Sequence, residues 1–195
     1  MPRQPDPGLE DRILNAAQRL WKKGGETALT MRAVARAAGT NTPAVYRRFR
    51  TRQDILRGLL RRTQQDLGRV LQQCRSVEEI GEAYLDYALS HPHEYELFYA
   101  HLHKLAGRTR AGRELSLKES RPNLALMEEK LAEQLGGQPE DHRRLGIALW
   151  ATAHGIAMLL LAKVSPREYE PEVREAFKIS VEALLREASS FSAQD

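Results

Sequence analysis

The chain has 195 residues, enough for one or two buried cores, and its 42% hydrophobic and 29% charged residues are ordinary for a globular protein. Its single cysteine, Cys74, excludes an internal disulfide framework and fits a reducing cytoplasm. The proline-rich, polar start Met1–Gly8 lacks the apolar stretch of a secretory signal, so a cytoplasmic protein is expected. The net charge of +4 is unevenly spread: residues 1–60 hold 12 Lys and Arg against 5 Asp and Glu, and residues 61–195 hold 18 against 21. A basic head on a mildly acidic body calls for a polyanionic partner of the head alone.

Helical periodicity recurs along the chain and period-2 alternation does not, which predicts an all-α fold. The first helix carries Leu9, Ile13, Ala16, Ala17 and Leu20 on one face and stops at Gly24-Gly25. A short second helix runs from Thr30, a good N-cap, to Gly39, suited to the left-handed residue that closes a helix. The third begins at Asn41, another favoured N-cap, with Pro43 in its first turn, where a missing N–H costs little. A long fourth helix from about Arg52 to Cys74, capped by Thr51, bridges head and body.

In the body, Val77, Ile80, Tyr84 and Tyr87 stripe a fifth helix ended by His91-Pro92, and Tyr95, Phe98, Tyr99 and Leu102 stripe a sixth. A segment over 110–135 is interrupted at Pro122 and ends at Gly136-Gly137. Two last helices span roughly 141–163 and 171–189. The apolar run Leu145–Ala162 approaches membrane-spanning length, but Thr152, His154 and many small residues favour a helix buried on nearly all sides within the protein. The domain boundaries expected are 1–51 for the head and 52–195 for the body.

Two short helices joined by Gly39-Thr40, the second preceded by capping residues and rich in basic and aromatic side chains, have the layout of a helix-turn-helix. Its second helix lies in the major groove with its N-terminal residues toward base edges. Thr40, Asn41, Thr42 and Ala44 would sit there, small enough for close approach, direct hydrogen bonds and contact with thymine methyls. Arg47 and Arg48 follow a turn later and could grip guanine or phosphate; Arg48 could equally be paired within the protein. Tyr46 offers a ring and a hydroxyl, and the helix starts at Thr30 and at Thr51-Arg52 present free N–H groups to phosphates.

The run from Thr30 to Leu56 resembles the DNA-binding domain of the TetR family of bacterial repressors. Thr30, Val34-Ala35, Ala38-Gly39, Tyr46, Phe49, Arg52 and Leu56 fall at the family's spacing, with Ala16-Ala17, Leu20-Trp21 and Gly24 upstream. Trp21 stands where phenylalanine is usual and Arg52 where lysine is usual. The resemblance implies that Thr30, Tyr46 and Arg52 touch phosphates, that Asn41 to Ala44 and Arg47 face the groove, and that the last two helices pair between two copies.

A lone helix-turn-helix makes few contacts, so a homodimer is expected on operator DNA. Ala148, Ala151, Gly155 and Met158, at helical spacing, supply one half of an expected dimer interface, with Phe177, Val181 and Leu184 the other. A small-molecule effector pocket, suited to an apolar or aromatic ligand, is expected from Tyr84, Tyr87, Tyr95, Phe98, Tyr99, Leu102, Trp150 and His154. Trp150 with His154-Gly155 also resembles a short motif of one TetR ligand-binding subgroup. His91, His93, His101 and His103 cluster in sequence, but their spacing points the rings to different helix faces, so no metal, cofactor or enzymatic activity is expected. The function expected is a transcriptional repressor released from its operator by a small molecule. The alternatives are an activator, a partner-regulated DNA binder, or a helical ligand-binding protein without specific DNA binding.

Overall fold

The computed structural model describes residues 6–101, 117–162 and 169–192. Among them are ten α-helices and no strand: α1 (Leu9–Ala28), α2 (Met31–Ala37), α3 (Thr42–Arg48), α4 (Arg52–Leu71), α5 (Val77–Ser90), α6 (Pro92–His101), α7 (Leu117–Ser120), α8 (Pro122–Leu135), α9 (Arg143–Leu161) and α10 (Glu170–Ser192). A 3-10 turn over Pro139–His142 leads into α9. The residues group into two compact units. The first holds the chain up to Thr63 together with the stretch from Glu96, and the second holds Gln64–Tyr95 and the remainder. Thus α4 and α6 each supply residues to both units.

In the first unit local chemistry fixes the short helices. The Thr30 hydroxyl accepts the N–H of Ala33 (3.1 Å) at the start of α2, and Asn41 Oδ1 accepts that of Ala44 (2.9 Å) at the start of α3. Each satisfies an N–H the helix itself cannot pair. Between them Gly39 adopts φ +64°, a left-handed value costly for a residue with Cβ, and this turns the chain from α2 into α3. Thr51 and Asp54 cap α4 reciprocally: the Asp54 carboxylate accepts the Thr51 N–H (3.0 Å) and the Thr51 hydroxyl accepts the Asp54 N–H (3.2 Å). α1 is broken at Gly24-Gly25, where Gly25 has φ +59°.

Ile13, Val34, Val45 and Leu60 are wholly buried in this unit, each contributing about 1.5–3 kcal/mol of burial. Phe49 closes the same core, together with Leu97 and Phe98 of α6. Gly58 lets α4 lie close: a Cβ there would meet Leu14 Cδ2 at 2.8 Å and Phe49 at 3.3 Å.

The second unit packs α5 against α9, α9 against α10 and α8 against α9. Gly81 of α5 sits under the buried ring of Phe177, and Gly146 of α9 faces Leu124, Met127 and Leu131 of α8. Arg174 of α10 bonds Glu82 and Asp86 of α5 as well as Glu170. The buried carboxylate of Glu128 accepts the Arg143 Nε–H at 3.0 Å.

α9 departs from the sequence expectation. Only one face, through Gly146, Leu149, Ala153 and Ala157, is buried, while Ile147, Ala151, Gly155, Met158 and Leu159 are exposed. The segment Pro139–Leu161 is long and apolar enough to cross a membrane by length and composition alone. Uniform hydropathy concealed this two-faced helix, because small residues suit a buried face and an uncovered one equally.

Candidate nucleic-acid interface and effector residues

α3 stands on the buried side chains of Ala44 and Val45, which turn its opposite face outward. On that face Tyr46 is 50% exposed and Arg47 and Arg48 are exposed. Thr42 and Thr40 are half-buried, and Asn41 is exposed although its Oδ1 is committed to the cap. Ala44 corrects an expectation. At 4% exposure it belongs to the core, so its methyl cannot reach a base edge. Its position in the first turn suggested the groove, but the helix rotates it inward beside Val45.

The charged groups divide into two sets. One set is engaged: Arg12 with Asp6, Arg57 with Asp54, Arg62 with Asp11 and Arg52 with Glu26. Arg48 is held by the carbonyl of Asp6 at 3.1 Å, the paired role that its sequence context left open. Arg19 donates to the carbonyl of Ala37. The other set, Arg32, Arg36, Arg47 and Arg50, is exposed and has no partner among the described residues.

The reason lies in the sequence. From Thr27 to Gln53 the chain carries six arginines and no Asp or Glu. Arg32, Arg36 and Arg50 were not among the expected contacts, and this carboxylate-free run is the signal that they would be exposed and unpaired. Thr30 is exposed at the start of α2; Thr51 and Arg52 are exposed at the start of α4, the former tied into its capping pair and the latter bonded to Glu26.

The residues expected to line an effector pocket do not form one group. Tyr84, Tyr87, Tyr95, Trp150 and His154 fall in the second unit, whereas Phe98 and Tyr99 fall in the first. Phe98 is a core residue of the first unit and Tyr99 packs against that core, their rings edge to face at 5.3 Å. An aromatic stripe does not reveal which core its residues will enter. Leu102 lies outside the described residues.

Of the remaining five, Tyr84, Tyr95, His154 and Trp150 form a chain of contacts, and Tyr87 stands apart from it on His91. Tyr95, 2% exposed, shares a hydrogen bond with Tyr84 hydroxyl to hydroxyl (3.0 Å) and meets His154 Nδ1 at 2.6 Å. Trp150 stacks on His154 with ring centroids 6.3 Å apart, and Tyr87 stacks on His91 at 4.5 Å. Burial holds the His154 imidazole below its ordinary pKa and pushes the Tyr87 phenol up, because each charged form would lose water without full compensation. Among the described residues no three His, Cys, Asp or Glu side chains come together as metal ligands; His103 lies outside them.

Of the expected interface residues, Ala151, Gly155 and Met158 are exposed, and Ala148 and Leu184 are half-buried. Phe177 and Val181 are 2% and 3% exposed within their own unit, which removes them from any surface. The outward stripe of α10 runs instead through Ala176, Ile179 and Ala183. Periodicity identified an apolar face of α10, but the bulkier side chains filled the unit's own core.

Residues 13–59 match the family model for bacterial regulatory proteins of the tetR family. Residues 77–184 match that of the tetracyclin repressor-like C-terminal domain. No curated relative matched the chain.

Solved structures share the fold over nearly its whole length. SCO4313 superposes with a TM-score of 0.70 at 18% identity, over 91% of this chain and 95% of that one. The multidrug binding protein EbrR complexed with imidazole gives 0.61 at 24% identity, over 92% and 93%. A TetR-like transcriptional regulator from Rhodococcus sp. RHA1 gives 0.59 at 19%, over 94% and 96%. With the C-terminal family model alone spanning more than half of its length, the chain belongs to the TetR family and is a DNA-binding, ligand-responsive transcriptional regulator.

Proposed function

We propose that the protein is a repressor that holds operator DNA as a homodimer and releases it when a small molecule binds the second unit. The observation that carries the DNA-binding part is the exposed surface of α2, α3 and the turn after α3: Tyr46 with Arg32, Arg36, Arg47 and Arg50, which no carboxylate among the described residues neutralises. Arg47 and Tyr46 read or grip the duplex from α3. Thr40, Asn41 and Thr42 approach the bases, and Thr30, Thr51, Arg52, Arg32, Arg36 and Arg50 meet phosphates, with Arg48 contributing only if it leaves the Asp6 carbonyl.

The uncovered apolar faces of α9 and α10, through Ile147, Ala151, Gly155, Met158 and Ile179, support pairing with a second copy. Pairing sets two α3 helices at a spacing of about 34–36 Å. An apolar or aromatic effector contacts Tyr84, Tyr95, Trp150 and His154, whose hydroxyls and ring nitrogen orient it. It weakens DNA binding only by its greater affinity for the state in which the α3 spacing no longer fits, and α4, which supplies residues to both units, is the element expected to swing. This reading assigns the chain no enzymatic step.

The test is a footprint on the DNA upstream of its own gene, repeated with a panel of aromatic compounds while fluorescence of a Trp21→Phe variant, whose one remaining tryptophan is Trp150, reports binding. Tyr46→Ala and Arg47→Ala are expected to weaken operator binding with helicity and dimer mass unchanged. Affinities within twofold of the parent would overturn the assignment of α3.

A further inference from the structure

Asp6, the first described residue, is tied to two helices of the first unit. Its carboxylate takes both terminal nitrogens of Arg12 on α1, at 2.5 and 3.4 Å, and its Oδ1 accepts the Gly8 N–H at 3.0 Å. Its backbone carbonyl accepts the Leu9 N–H at 3.3 Å and Nη2 of Arg48 at 3.1 Å. The Arg12 guanidinium holds the Asp6 carboxyl below its ordinary pKa, so this anion is engaged from within the unit. Arg48 is the last residue of α3 and is exposed beside Tyr46 and Arg47. Its bond to Asp6 therefore brings the preceding stretch of chain out at the end of α3. That stretch, residues 1–5, lies outside the described residues; its sequence Pro2-Arg3-Gln4-Pro5 carries one cation and no carboxylate.

From this anchoring we propose that the chain before Asp6 is a second DNA-binding element, an arm whose Arg3 enters the minor groove beside the bases that α3 faces. The inference rests on the reading that α3 lies in the major groove. Across one phosphate ridge from there runs the minor groove, and the three residues from Asp6 to Arg3 can span about 10 Å. At about 6 Å wide that groove refuses a helix but admits a single extended strand. Pro5 disfavours a helical backbone at Gln4, so the sequence suits such a strand. A·T-rich stretches narrow the groove and deepen its negative potential, which draws a guanidinium in. Arg48 then acts as a positioning residue. Holding the root of the arm before DNA arrives removes part of the ordering cost of binding.

The experiment selects duplexes from a random pool with the full-length parent and, separately, with Arg3→Ala. Duplexes chosen by the parent should carry A·T pairs outside the bases that α3 reads. Those chosen by Arg3→Ala should keep the α3-read bases and lose the flank preference. On a parent-selected duplex, Arg3→Ala should bind about five- to tenfold more weakly at about 0.1 M salt. Its salt dependence should be shallower by about 0.9, the share of one cation. Changing the flanking A·T pairs to G·C should cost the parent a similar factor and Arg3→Ala less than twofold. Inosine·C pairs, which present the minor-groove face of A·T and the major-groove face of G·C, should leave the parent's affinity intact.

Arg48→Ala should weaken the parent about two- to fivefold yet change Arg3→Ala less than twofold, with far-UV helicity unchanged in every variant. Equal losses in both backgrounds overturn the anchoring role of Arg48. If Arg3→Ala binds as the parent does, or loses equally on A·T and G·C flanks, the arm has no place in the minor groove and the proposal is overturned. If instead Arg47→Ala leaves the selected duplex bound as before, it is the major-groove reading of α3 that fails.

Discussion

Two mid-helix glycines of the second unit respond in opposite ways to the same added methyl. On Gly81 of α5 a Cβ would stand 2.7 Å from Cζ and 3.0 Å from Cε1 of Phe177, well inside ordinary carbon contact. Phe177 is 2% exposed. Overpacking of this kind costs about 1–3 kcal/mol, against which alanine recovers about 1 kcal/mol of helix propensity, so Gly81→Ala should destabilise by roughly 1–2 kcal/mol. On Gly155 of α9 a Cβ meets nothing within 4 Å, and the single chain keeps the whole gain of about 1 kcal/mol, some 2–4 °C in melting temperature for a chain of this size.

If two copies close over α9, the result reverses in the assembly. Two-fold symmetry counts each methyl twice, and about 1–3 kcal/mol per crowded contact weakens the dimer by roughly 2–6 kcal/mol, at least about thirtyfold in Kd. Sedimentation equilibrium and melting curves over a dilution series separate the two terms. Gly155→Ala should melt higher as a monomer yet dissociate at higher concentration. A variant with unchanged mass at every concentration refutes an interface through this face. A Gly81→Ala protein as stable as its parent, or one that Phe177→Leu fails to rescue, refutes the packing of α5 on α10.

Three further outcomes can be checked. Asn41→Ala removes the cap of a seven-residue helix and should cost about 1 kcal/mol in chemical denaturation, while Asn41→Ser should restore most of it. Arg143→Ala takes the ion-pair partner from the Glu128 carboxylate, 4% exposed, and should lower the denaturation midpoint; adding Glu128→Gln should recover much of the loss. His154 has a folded pKa below its unfolded one, so the unfolded chain takes up the proton first. Stability should be intact above the ordinary imidazole value and should decline as the pH falls from there through the folded value. His154→Gln should flatten that decline in denaturation curves between about pH 7 and 5, and an identical slope would show that the imidazole carries none of it.

The head was legible because its signals are local. Thr30, Gly39 and Asn41 act on atoms within five residues of themselves, so spacing alone fixed the turn and the start of α3. Contacts between distant residues were not legible. Nothing near Arg48 in sequence announces the Asp6 carbonyl that holds it, and nothing near Phe98 states that it enters the first unit's core. The body failed in a consistent way: apolar periodicity marked which residues share a face, not what that face meets. Hence Phe177 and Val181 turned inward and α9 kept an open side. Ala44 shows the same limit within the head, where helical phase outweighed nearness to the N-terminus.

The stretch from Thr27 to Gln53, with six arginines and no acidic residue, has a consequence for folding. Those guanidinium groups repel one another most in the compact state, so dilute buffer should loosen this unit and added salt should firm it by screening. Any multivalent anion that settles across them relieves that repulsion as it binds, and the duplex becomes a chaperone for the surface that recognises it.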